Sequence, residues 1–123
     1  ANTAVAGGGV FVEGGASGGV QFDGTTLRAN VARSNGGAAA VHSLSTWRGV
    51  TCVGNVAHGD GDGVFHYGGG CVVARGGRAV LRMSASMVAR NSALHARLYY
   101  AGGGGVALEE PREVTIDTTT FEA

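Results

Sequence analysis

VQFDGTTLRAN, at residues 20–30, returns three more times along the chain. STWRGVTCVGN at 45–55, LRMSASMVARN at 81–91 and VTIDTTTFEA at 114–123 superimpose on it without a gap, the last stopping one position short. Repetition at this spacing marks a unit that cannot bury its apolar side alone and must stack on copies of itself. Phe22, Trp47, Met83 and Ile116 share one column of the alignment, and Leu27, Cys52, Val88 and Phe121 share another. Both columns are apolar. A third, Thr25, Val50, Ser86 and Thr119, is small or β-branched, and a fourth holds Asn30, Asn55 and Asn91.

Each unit begins with a glycine cluster: Gly7 to Gly9 before Val10, Gly36 and Gly37 before Ala38, Gly68 to Gly70 before Cys71, and Gly102 to Gly105 before Val106. Glycine reaches positive φ and permits close backbone approach, which suits sharp corners stacked on identical corners. A β-favouring run follows each cluster, then a turn, then an alternating segment that ends at Asn; helical periodicity is absent. The lengths between Asn and the next cluster vary (31–35, 56–67, 92–101), as loops bulging from a regular stack do.

These features predict an all-β chain, a right-handed parallel β-helix of about four coils. The units fall at about 7–35, 36–67, 68–101 and 102–123, with 1–6 as the tail of a preceding coil. Equivalent side chains would then lie about 4.8 Å apart. Stacked amides at that spacing hydrogen-bond to one another, so Asn30, Asn55 and Asn91, with Leu27, Cys52, Val88 and Phe121, are expected to form a structural ladder. Asn-x-Ala recurs at Asn2 to Ala4, Asn30 to Ala32, Asn55 to Ala57 and Asn91 to Ala93. The array therefore reads as one domain that starts and stops mid-repeat, either a segment of a longer array or copies that complete each other end to end.

Composition narrows the function. At 123 residues the length suits one domain, and no apolar run approaches the roughly 18 residues of a membrane span. Nine Arg balance nine acidic residues, which leaves neither a basic footprint for nucleic acid nor a polybasic patch for lipid. No CxxC or zinc-ligand spacing accompanies the two Cys. Cys52 sits in an apolar column and Cys71 opens the next coil, so a bridge between neighbouring coils and a pair of reduced core thiols both stay open. No cofactor is expected.

The paired signals, glycine cluster plus small or apolar residue and apolar-x-x-Asn, resemble the polymorphic outer-membrane-protein repeat and related right-handed β-helix repeats of surface adhesins and autotransporter passengers. The first reads Gly36-Gly37-Ala38, Gly7-Gly8-Gly9-Val10 and Gly68-Gly69-Gly70-Cys71; the second reads Leu27-Arg28-Ala29-Asn30, Cys52-Val53-Gly54-Asn55 and Val88-Ala89-Arg90-Asn91. The resemblance covers nearly the whole chain. It implies an extracellular or cell-surface protein with a structural or adhesive role.

Several residues invite sharper readings. His58, Asp60, Asp62 and His66 lie on one glycine-rich loop. Asp60 and Asp62 are the candidates for calcium, but neither an EF-hand nor the calcium nonapeptide spacing is met, which favours a solvated insertion. Asp23 and Asp117 share a column. Three coil steps put them roughly 14 Å apart, beyond the roughly 9.5 Å limit for an inverting carboxylate pair, so no catalytic residue is expected and the chain reads as no enzyme. Thr25-Thr26 and Thr118 to Thr120 would make a hydroxyl array, which the middle coils interrupt. Tyr67, Tyr99 and Tyr100 end the two longest insertions and suit a contact patch for a second chain or a sugar. His42 and His95 read as surface or loop residues. The expected role is a non-enzymatic fibre subunit or segment of a long surface protein that associates with itself, with carbohydrate or receptor binding as the alternative and a polysaccharide-cleaving enzyme as a distant one.

Overall fold

A computed structural model of the chain describes residues 2–4, 7–13, 19–34, 36–58, 69–94 and 104–123. Among them β1 (Thr3–Ala4) precedes a first circuit of β2 (Val10–Val12), β3 (Val20–Asp23), β4 (Thr26–Arg28) and β5 (Val31–Ala32). The second circuit is β6 (Ala39–Val41), β7 (Leu44–Arg48), β8 (Thr51–Val53) and β9 (Val56–Ala57). The third is β10 (Val72–Arg75), β11 (Val80–Ser84), β12 (Met87–Ala89) and β13 (Ser92–Ala93), and β14 (Val106–Glu109), β15 (Glu113–Asp117) and β16 (Thr120–Glu122) follow.

All sixteen strands pair in parallel, in four sheets of four, and no helix occurs among the described residues. Strand order is β2-β6-β10-β14 in one sheet, β3-β7-β11-β15 in the next, β4-β8-β12-β16 in the third and β1-β5-β9-β13 in the last. Each strand thus pairs with its equivalent one circuit away, an arrangement compatible with a β-solenoid.

The gapless alignment is the physical register. Phe22 pairs with Trp47, Trp47 with Met83 and Met83 with Ile116, while Leu27, Cys52, Val88 and Phe121 pair in the same way. Ala4, Ala32, Ala57 and Ala93 also stand in one line.

Three local expectations need correction. The alternating eleven-residue segment is two strands, because left-handed residues bend it midway at Gly24, Gly49, Ala85 and Thr118 and again before Asn at Ala29, Gly54 and Arg90. A non-glycine residue in that region costs about 1–2 kcal/mol, and stacking offsets it: the Ala85 N–H donates to Thr118 Oγ1 at 3.1 Å. Residues just after each Asn are not loop. Val31–Ala32, Val56–Ala57 and Ser92–Ala93 are the strands of the fourth sheet, so the variable lengths start two residues later.

The glycine clusters, finally, are aligned by their left-handed glycines and not by their last members. Gly7, Gly36 and Gly69 are left-handed at φ 58°, 63° and 68°, and pairing of Val10 with Ala39 and Ala39 with Val72 sets Ala38 and Cys71 level with Gly9. A Cβ on Gly37 or Gly70 would overlap the carbonyl oxygen of the glycine one circuit on, Gly70 or Gly104. Those glycines are sterically obligatory.

Inside the stack, Val12, Leu27, Val41, Trp47, Val50, Val72, Leu81, Met83 and Val88 form one continuous core. Trp47 is fully buried, its ring tilted against Phe22 with centroids 5.3 Å apart. Its indole N–H donates to the buried Ser45 Oγ at 2.6 Å, which satisfies the one polar atom that its burial would otherwise strand.

Candidate functional site

The Asn column forms the expected ladder. Asn30 donates its backbone N–H and its Nδ2 to Asn55 Oδ1 at 2.9 and 3.0 Å, and Asn55 donates the same two groups to Asn91 Oδ1, both at 2.9 Å. Two of the amides also reach back one circuit, Asn55 Nδ2 donating to Leu27 O and Asn91 Nδ2 to Cys52 O, each at 2.9 Å. The ladder begins one residue earlier in the stack than the three-member column, because the Asn2 N–H donates to Asn30 Oδ1 at 3.1 Å. Asn30 and Asn55 are buried, and the Asn55 amide uses its oxygen and both N–H groups where water cannot replace a partner.

The ladder and the core both stop at one end. Among the described residues nothing accepts the backbone N–H of Asn91. The apolar columns that are sealed at Trp47 and Cys52, each 0% exposed, open at Ile116, 39%, and Phe121, 51%. Leu108, in line with Val41 and Ala74, is 50% exposed. A notch of about 370 Å³ lies there, lined by Val88, Asn91, Gly104, Gly105, Phe121, Glu122 and Ala123. At the opposite end Val12 and Leu27 are buried, and Val10, Val20 and Phe22 half-buried. The two ends are unequal.

Three ion pairs fasten the last strands to the third circuit. Arg75 meets Glu109 at 3.0 Å, Arg82 meets Glu113 at 3.3 Å and Arg90 meets Glu122 at 3.6 Å. Exposed pairs of this kind contribute little, roughly 0–1 kcal/mol.

Of the two states open to the cysteines, the bridge is present: Cys52 and Cys71, 19 positions apart in the sequence, are joined, with Cα atoms 6.0 Å apart. The bond ties the third sheet of the second circuit to the corner that starts the third. Asp23 and Asp117 sit on the first and last strands of one sheet, with Arg48 and Ser84 between them. No carboxylate pair forms in that column. Each Thr of the small column turns back on its own strand, Thr25 Oγ1 donating to Asp23 O at 3.4 Å and Thr119 Oγ1 to Asp117 O at 3.0 Å. Ser86 does the same toward Ser84 O and also accepts the Val50 N–H at 3.1 Å. These hydroxyls serve the bend.

His42 is half-buried at the bend between β6 and β7, its ring set edge-on to Phe11 with centroids 5.1 Å apart. Burial first, and then the Arg75 guanidinium, push its pKa below the ordinary imidazole value, against a smaller opposing effect of Glu109. Asp60, Asp62, His66, Tyr67, His95, Tyr99 and Tyr100 lie outside the described residues. Among the described residues no three His, Cys, Asp or Glu side chains gather to hold a metal ion, and no helix is long and apolar enough to cross a membrane.

Sequence reasoning placed Phe121 in the structural ladder and Ile116 in an apolar column, and foresaw neither of them, nor Leu108, as part of an exposed end. The signal was available: each occupies a column that is apolar in every other circuit, so its exposure follows from being last. Comparison with family models, curated proteins and solved structures returns no match.

Proposed function

We propose that the chain is a right-handed parallel β-helix module with a non-enzymatic, structural role at the cell surface or outside the cell. Its circuits stack end to end, as a fibre subunit or as one stretch of a long surface protein. The observation that carries this reading is the open end, where Leu108, Ile116 and Phe121 continue core columns and the Asn ladder leaves a donor unspent. Continuing the stack would bury the first and satisfy the second. The right hand rests on the general handedness of parallel crossovers.

The Cys52–Cys71 bridge supports an oxidising compartment, and the balanced charge suits a structural surface better than binding to nucleic acid or anionic lipid. The test is electron microscopy of the pure chain. Rods much longer than one molecule, growing by about 4.8 Å per circuit, are the expected result. Isolated short particles at every concentration, together with a strong hit on a glycan array, would overturn it in favour of a carbohydrate-binding module.

A further inference from the structure

We propose that two copies of this chain pair side by side and antiparallel, through the outward face of the sheet β4-β8-β12-β16. The contact uses side chains that point away from the core and involves neither end of the stack, so it is independent of end-to-end joining. Leu27, Cys52 and Val88 belong to the core, and successive residues of a strand point to opposite sides. The outward face is therefore two columns: Thr26, Thr51, Met87 and Thr120 beside Arg28, Val53, Ala89 and Glu122.

Charge sits only in the outer rows of the second column. Arg28 is exposed and has no ion-pair partner among the described residues. Glu122, three steps of about 4.8 Å away, meets Arg90 at 3.6 Å in a pair more than half exposed on both sides. Between Arg28 and Glu122 nothing is charged: Ala89 is buried, Thr51 and Val53 are half-buried, and Met87, 38% exposed, turns a large apolar side chain outward. An uncharged middle with charges at its rim is the anatomy of a protein–protein contact, where Met and Arg are enriched.

The partner is a second copy because the face complements itself. One copy is turned over about an axis that runs along the strands, between β8 and β12, and laid on the other. Arg28 of each copy then lies opposite Glu122 of its partner, Met87 opposite Thr51, Val53 opposite Ala89 and Thr26 opposite Thr120. An isologous contact makes each of these pairs twice. The same operation fails on the other two wide sheets. On β3-β7-β11-β15 it sets Asp23 against Asp117, and on β2-β6-β10-β14 it sets Glu13 against Glu109 and His42 against Arg75. Parallel copies, related by an axis along the stack, would set Arg28 against Thr26 and Glu122 against Thr120, which matches neither charge.

In projection the face measures about 19 Å by 10 Å, on the order of 200 Å², against roughly 800 Å² per partner in a stable complex. Two single chains should therefore pair weakly, with a dissociation constant on the order of 10⁻⁴ M. In an end-to-end stack the contact would recur once per copy and gain by avidity.

Sedimentation equilibrium up to millimolar concentration reads the pairing in the unmodified chain, in Arg28→Glu, in Glu122→Arg, in an equimolar mixture of these two and in Met87→Ser. All three side chains are exposed, so the variants should fold, which circular dichroism checks. Each charge variant alone should weaken the dimer about tenfold or more, because two attractions become two repulsions. The mixture should regain the affinity of the unmodified chain, since the two variants complement each other at both contacts. Met87→Ser should weaken the dimer several-fold with every charge in place. Loss in the single variants without recovery in the mixture would overturn the antiparallel register. Association indifferent to both charges, such as long rods alone, would overturn side-by-side pairing and leave end-to-end stacking standing. A chain that stays monomeric throughout would overturn it too, and would leave the face to a different protein or a glycan.

Discussion

Asn55 gives both its backbone N–H and one side-chain N–H to the same oxygen, Asn91 Oδ1, at 2.9 Å each, while its own Oδ1 takes the corresponding pair from Asn30. One residue therefore closes two interfaces between circuits. Asn55→Ala would leave Asn30 without an acceptor, and Leu27 O without a donor, at a position with no access to water. A buried group left unpaired costs about 1–3 kcal/mol, so the loss should reach about 3 kcal/mol or more. Asn55→Asp should not rescue it, because it restores the acceptor but not the donors and buries a charge. Urea unfolding followed by circular dichroism reads both; a loss under 1 kcal/mol for Asn55→Ala would show the ladder to be ornamental.

Gly37 and Gly54 separate two reasons for glycine. A Cβ at Gly37 would run into backbone of Gly70 and Val56, which cannot move without breaking the stack. Gly54 has open space around it, and only its φ of +63° disfavours a side chain. Gly54→Ala should cost about 1–2 kcal/mol and keep the fold. Gly37→Ala should cost more than about 4 kcal/mol, in the range that marks a named steric failure. Equal effects on thermal melts would refute the distinction.

The register of this fold was legible because stacking makes it so. Phe22, Trp47, Met83 and Ile116 differ in size but hold one column, and the alignment that groups them is the strand pairing itself. What the sequence hid were the bends that Ala29, Ala85, Arg90 and Thr118 make at positive φ, since nothing in those side chains announces a left-handed conformation. They are recognisable only from the glycines in line with them, Gly24, Gly49 and Gly54. The glycine clusters misled by one position for the related reason that steric necessity falls on two members and leaves the third free. At the candidate site, the ladder followed from the Asn column, whereas the exposed end did not, because exposure depends on which copy of a column is last.

Ser43 and Ala79 occupy equivalent positions, each just before the strand that pairs Leu44 with Val80. Both are buried, and among the described residues the Ser43 hydroxyl is the buried side-chain polar atom without a partner. Ala79 shows that the position accepts a methyl group. Ser43→Ala should therefore stabilise the chain by about 1 kcal/mol, the lower end of the cost of an unpaired buried hydroxyl, and raise Tm by a few degrees. Calorimetry that finds a lower Tm would mean the hydroxyl has a role unseen here.

Cys52 and Cys71 close a short loop, and both are fully buried. Constraining a loop of this length in the unfolded chain contributes about 3 kcal/mol. The double variant Cys52→Ala with Cys71→Ala should lose at least that much, since two small cavities are added to the lost constraint. Reduction of the native chain should require prior unfolding, as the sulfurs are shielded from solvent. Thiol titration with and without urea checks this; fast reaction in the absence of urea would contradict the burial.

His42 supplies a pH dependence whose sign can be worked out. Burial, with Arg75 nearby, lowers its pKa below the ordinary value of 6.5, so between the two values the unfolded chain binds more proton than the folded one. Stability rises with pH wherever that holds. The contribution of His42 is then complete above the ordinary imidazole value and falls as pH drops through it toward the lowered folded one. Opposing this, Glu109 favours the imidazolium, so Glu109→Gln should lower the pKa further and also free Arg75 from its 3.0 Å partner. An NMR titration of the His42 ring should give a midpoint below 6.5, lower still in Glu109→Gln. Melts of the His42→Gln variant should lose the part of the acid-side destabilisation that His42 supplies. A midpoint at or above 6.5, or no change in the melts, would remove the charged ring from the account of acid sensitivity.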